Sequence, residues 1–126
     1  MRALFVDDEL EFLELMQKRL ARRGMEVVTA PDGKTALDMV KQASVPDAEP
    51  FNIVIMDVRM PGMDGLETLR HMKQIAPKLP VILLTGHACM GVAVEGLDLG
   101  AYDYMLKPVA ISELIIKMEE AVRSAV

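Results

Sequence analysis

The chain has 126 residues, of which 52% are hydrophobic and 26% charged, with a formal net charge of -5 at pH 7. That length suits one domain, residues 1–126, with a core of its own, and the acidic balance argues against a broad nucleic-acid footprint. The only cysteine, Cys89, excludes an intrachain disulfide, and no apolar run matches a secretory signal or a membrane span, so a cytoplasmic location is expected.

Short apolar runs alternate with amphipathic stretches along the whole sequence. Ala3-Leu4-Phe5-Val6 reads as a first strand, ended by Asp7-Asp8. A first helix follows over Glu9 to Arg23, with acids early and bases late, as the helix dipole favours, and Gly24 as its stop. Met25 to Thr29 is a second strand, and Pro31-Asp32-Gly33 turns into a helix over Lys34 to Ala43. After a polar loop, Ser44 to Pro50, the run Phe51-Asn52-Ile53-Val54-Ile55-Met56-Asp57 reads as a strand buried on both faces, with a carboxylate at its end. Val58-Arg59-Met60-Pro61-Gly62-Met63-Asp64-Gly65 breaks it, and Asp64 caps a helix over Gly65 to Ala76. Val81 to Leu84 is a fourth strand ending in Thr85-Gly86. Ala88 to Leu99 is a fourth helix weakened by Gly91 and Gly96, each costing about 1 kcal/mol relative to Ala. Ala101 to Leu106 is the fifth strand, and Ser112 to Val122 the last helix, with no polar cap in Val109-Ala110-Ile111.

This rhythm predicts an α/β fold: a doubly wound parallel sheet of five strands with helices on both faces. In such a sheet, ligands bind beyond the carboxyl ends of the strands. That rule places Asp7 and Asp8 (first strand), Asp57 (third), Thr85 (fourth) and Lys107 (fifth) on one edge. Each residue alone has an ordinary reading: Asp57 as a turn former, Asp7 and Asp8 as acids at a helix start, Thr85 as a turn residue, Lys107 as a solvated lysine. Together they form a set with its own chemistry. Crowded carboxylates repel, by about 4 kcal/mol per pair at 4 Å and an effective dielectric of 20. A hard cation such as Mg2+ relieves this and tolerates phosphate oxygens. A carboxylate can accept a phosphoryl group, and Lys107 and Thr85 would meet the charge and the hydrogen-bonding needs of its oxygens.

The segments Val6-Asp7-Asp8-Glu9, Ile55 to Gly65, Leu84-Thr85-Gly86-His87 and Gly100 to Pro108 resemble, in order and spacing, the receiver domain of two-component response regulators. The resemblance implies a flavodoxin-like, chemotaxis-regulator-like fold with strand order 2-1-3-4-5. It implies that Asp57 is the phosphoacceptor in a phosphorelay, served by a sensor histidine kinase or a phosphotransfer protein. It implies Mg2+ (or Mn2+) held by Asp8, Asp57 and the Arg59 backbone carbonyl, with Asp7 acting mainly through water. Lys107 would bridge Asp57 and the phosphoryl group, Thr85 and Tyr104 would form the switch pair, and the Lys107-Pro108 bond would be cis. Arg59 and His87 occupy positions that tune the phosphoryl lifetime in the family. The fourth helix, fifth strand and fifth helix would carry the response, either as a homodimer surface or toward a fused output domain concerned with transcription regulation. Such a chain is not an enzyme beyond its own phosphorylation and dephosphorylation.

Two alternatives follow from similar sheets. A haloacid-dehalogenase-type aspartyl-phosphate hydrolase places its nucleophile on the first strand, with a second Asp two residues on, whereas Asp7 and Asp8 are adjacent. A flavin or dinucleotide module needs a Gly- or hydroxyl-rich loop after the first strand, where this chain has Asp-Asp-Glu.

Overall fold

The computed structural model describes residues 1–59 and 64–125. Of the expected break from Val58 to Gly65, residues 60–63 lie outside the described residues. The elements follow in the order β1 (Arg2–Val6), α1 (Leu10–Ala21), β2 (Glu26–Ala30), α2 (Gly33–Ala43), β3 (Ile53–Asp57), α3 (Gly65–Ile75), β4 (Val81–Thr85), α4 (Met90–Asp98), β5 (Asp103–Leu106) and α5 (Ile111–Ser124). All strand pairs are parallel, in the order β2-β1-β3-β4-β5. The predicted fold class and strand order are thus present.

Strand periodicity divides the core into two layers. Leu4, Val6, Val54, Met56, Val81 and Leu83 face α2, α3 and α4. Phe5, Ile53, Ile55, Ile82 and Leu84 alternate with them and meet Leu13, Met16 and Leu20 of α1 and Leu114, Met118 and Ala121 of α5. Every residue of β3 and β4 is buried. A central strand of a parallel sheet has helices on both faces, so Ile and Val fill both sides of it.

Several boundaries differ from those expected. Glu9 is the N-cap of α1, outside the helix, because the Asp7 carboxylate accepts its N–H at 3.0 Å. Leu10 and Leu15 of α1 are exposed. The expected helix from Ala88 opens instead as a 3-10 turn over His87–Cys89 and becomes α-helical at Met90. No side chain caps that start. The last helix begins at Ile111, one residue before the expected Ser112, because the Leu114 N–H already donates to the Ala110 carbonyl at 2.9 Å. Gly24 and Gly100 take left-handed backbone, φ 83° and 107°, and close α1 and α4. Asp32 and Asp64 cap α2 and α3 through bonds to the Thr35 and Glu67 N–H groups. Among the described residues no helix is long and apolar enough to cross a membrane.

Candidate functional site

The carboxyl edge of the sheet is fixed by backbone bonds that continue the ladders past the strands. The Asp7 N–H donates to the Ala30 carbonyl, the Val58 N–H to Leu84 and the Lys107 N–H to Thr85, at 2.8 to 3.1 Å. Each functional residue is therefore anchored at or next to a bonded position. Gly65 opens α3 against Val58, where an added Cβ would lie 2.6 Å from the Val58 Cα. That close approach ties the start of α3 to the end of β3. The Lys107-Pro108 peptide is cis, as expected.

Lys107 is the hub. Its Nζ donates to Asp7 Oδ2 at 2.7 Å and to Asp57 Oδ2 at 3.1 Å, and lies 3.7 Å from Glu9 Oε1. Asp57 keeps its other oxygen on the Arg59 N–H, at 3.1 Å. Asp7 is fully buried, Asp57 nearly so, and Asp8 and Glu9 are exposed. Burial pushes the Asp7 carboxyl above its ordinary value, against the hydrogen bonds from Lys107 and Glu9, and the Asp57 charge adds to the rise. Burial also pulls the Lys107 ammonium down, but its bond to Asp7 and the charges of Asp57 and Asp7 outweigh this and hold it above the usual lysine range.

Oxygens of Asp7, Asp8, Glu9 and Asp57 all lie within 4.8 Å of one another. The donor set consists of carboxylates alone, which suits a hard, oxygen-seeking divalent ion. A single ammonium beside four carboxylates leaves an excess of negative charge, and a divalent cation would offset it. The residues present therefore fit Mg2+.

Not every predicted site residue joins this cluster. Thr85 is fully buried at the end of β4, and its hydroxyl donates to the Gly86 carbonyl at 3.0 Å. Tyr104, on β5, is partly buried against the layer of α2, α3 and α4. It pairs in register with Leu83, two residues before Thr85, so Thr85 and Tyr104 share a sheet face. The Arg59 and His87 side chains are exposed on the loops after β3 and β4.

Two contributors were not foreseen. Glu9 belongs to the acidic group; its signal was the unbroken Asp-Asp-Glu run. Phe12, on α1, places its ring centroid 4.6 Å from Lys107 Nζ. Nothing in sequence spacing links residues 12 and 107; only the folded chain brings them together.

A family model, the response regulator receiver domain, matches residues 3–119. The response regulator MprA of Mycolicibacterium vanbaalenii is 38% identical over 122 residues, covering 97% of this chain and 50% of that protein. The regulatory protein AtoC of Escherichia coli is 38% identical, covering 97% of this chain and 25% of that protein. The chain thus spans half or less of the length of these relatives. Among solved structures, a response regulator receiver domain protein from Clostridium thermocellum superposes with a TM-score of 0.90 at 32% identity, covering 98% of this chain and 94% of that one. The receiver domain of NtrX from Brucella abortus gives 0.87 at 32% identity, covering 97% and 98%.

Proposed function

The chain belongs to the response regulator receiver family of two-component signalling, and from that premise we propose that it accepts a phosphoryl group on Asp57 in a Mg2+-dependent reaction. The observation that carries this reading is the pairing of Asp57 with Lys107 inside a group of carboxylate oxygens at the sheet edge. The match over residues 3–119 favours it over the hydrolase and flavin-module alternatives.

The donor is the phosphohistidine of a sensor histidine kinase or phosphotransfer protein. An Asp57 carboxylate oxygen bonds to phosphorus as the phosphorus–nitrogen bond breaks, and the bonding pair leaves with the imidazole. Positioning and charge neutralisation dominate such a transfer. Lys107 supplies one fixed positive charge beside the reacting carboxylate. Asp8, Asp57 and the Arg59 carbonyl would hold Mg2+ (or Mn2+), with Asp7 acting mainly through water, and the ion would supply charge neutralisation for the phosphoryl oxygens. Thr85 exchanges the Gly86 carbonyl for a phosphoryl oxygen, and Tyr104, on the same sheet face, follows inward. Arg59 and His87, both exposed, set how readily water reaches the acyl phosphate. The new charge, about -1.5 to -2, biases the surface of α4, β5 and α5 toward an output domain, a partner or a second copy.

Incubation with Mg2+ and acetyl phosphate, read by intact mass, tests the reading. One phosphoryl adduct is expected, lost when EDTA replaces Mg2+. Equal adduct formation in EDTA contradicts the metal role, and no adduct in saturating donor contradicts the acceptor role.

A further inference from the structure

Lys107 has three N–H donors. Asp7 and Asp57 take two of them at 2.7 and 3.1 Å, while Glu9, at 3.7 Å, is too distant for a third bond. The Phe12 ring faces the same ammonium, its centroid 4.6 Å from Nζ. This lies inside the range over which an aromatic face attracts an ammonium. The ring has little freedom. Phe12 sits near the start of α1, partly buried against the α1 and α5 layer. Its centroid is 5.8 Å from that of Phe5 at an interplanar angle of 71°, an edge-on contact. Phe5 is fully buried in β1, two residues before Asp7. The strand that leads into Asp7 thus also supplies the ring against which Phe12 packs.

We propose that Phe12 is a positioning residue for phosphoryl transfer to Asp57: its ring face holds the Lys107 ammonium against Asp7 and Asp57. This rests on the phosphoacceptor reading above. A lysine has four rotatable bonds, and two hydrogen bonds alone leave its ammonium room to shift. The ring face adds a third attraction without competing for a proton donor. An aliphatic residue of similar volume would fill the core and leave the ammonium unbacked.

The test replaces Phe12 in the full chain with 3,4,5-trifluorophenylalanine, which nearly keeps the shape but withdraws charge from the ring face, and separately makes Phe12→Leu. Two quantities are read: the NMR order parameter of the Lys107 side chain, and the rate constant for Asp57 phosphorylation by acetyl phosphate in Mg2+. Thermal unfolding monitors the fold. Both substitutions should loosen Lys107, and the fluorinated ring should slow phosphorylation by about two- to fivefold, the rate equivalent of an ammonium–ring contact at a part-exposed site. An unchanged order parameter on the fluorinated ring overturns the proposal. So does a loosened Lys107 with an unchanged rate. If the unsubstituted chain takes no phosphoryl group, the functional reading fails, and the positioning role for that transfer fails with it.

Discussion

Asp7 is fully buried and shares its cationic partner with Asp57. Its carboxyl is raised above the ordinary value of 3.8, chiefly by burial. The folded state therefore keeps a proton on Asp7 at pH values where the unfolded chain has lost it. By linkage, the contribution of Asp7 to stability declines as pH rises from the unfolded value through the raised folded one, and recovers as pH falls. In metal-free protein, the unfolding free energy of the parent minus that of Asp7→Asn should fall with increasing pH across this window. A flat difference would count against a buried, raised Asp7. Asp8 is the converse case. It is exposed, so Asp8→Ala should leave the metal-free fold intact while removing one of the carboxylates proposed to hold the ion. Mg2+ at 100 times its dissociation constant should stabilise the parent by about 2.7 kcal/mol, and the thermal shift should largely vanish in Asp8→Ala. At this scale the sequence revealed which acids stand at strand ends. It did not reveal that Asp7 and Asp57 share one ammonium, because strand order brings Lys107 to their edge but leaves open which oxygens its Nζ bonds.

The elements differ in how firmly they are specified. β3 and β4 are buried throughout, and their Ile, Val and Leu runs were readable as central strands. α4 was the weakest expectation and departs most, opening as a 3-10 turn without a side-chain cap. Its two glycines play opposite parts. A Cβ on Gly91 meets nothing within 4 Å, so Gly91→Ala should stabilise the fold by about 0.5–1 kcal/mol in denaturant titration. A Cβ on Gly96 would lie 2.4 Å from Leu83 Cδ1 and 3.3 Å from Leu66 Cδ2, so Gly96→Ala should cost about 1–3 kcal/mol. A gain at Gly96 would mean that α4 rides higher on the sheet than its packing here. α5 also starts without a side-chain cap, at Ala110. Ala110→Ser should therefore add about 1 kcal/mol. That gap was visible in Val109-Ala110-Ile111, yet the helix starts at Ile111 and not at Ser112, since its first turn closes through the Ala110 carbonyl.

For the whole molecule, a rigid sheet edge stands beside a face that carries exposed apolar side chains. Most of the charge chemistry lies at the ends of β1, β3 and β5, on strands held by parallel ladders. Val92, Val94, Leu97 and Tyr102, around α4 and the approach to β5, are exposed apolar side chains. Their exposure leaves them free to meet a partner. Lys117 bonds Asp103 at 2.9 Å across β5 and α5, a surface pair of small energetic weight. Protection of the α4 and β5 amides from hydrogen exchange should change when a phosphate mimic occupies the site, while β1 and β3 stay as they were. The alternation of strand and helix made the strand edge, and hence the gathering of Asp7, Asp8, Asp57 and Lys107, predictable from order alone. The contact of the Phe12 ring with Lys107 depends on side-chain packing and was not. The central claim is that Asp57 is the phosphoryl acceptor. Intact mass after acetyl phosphate and Mg2+, compared between the parent and Asp57→Ala, tests it most directly. The account predicts one phosphoryl adduct on the parent and none on Asp57→Ala; equal adducts on both would contradict it.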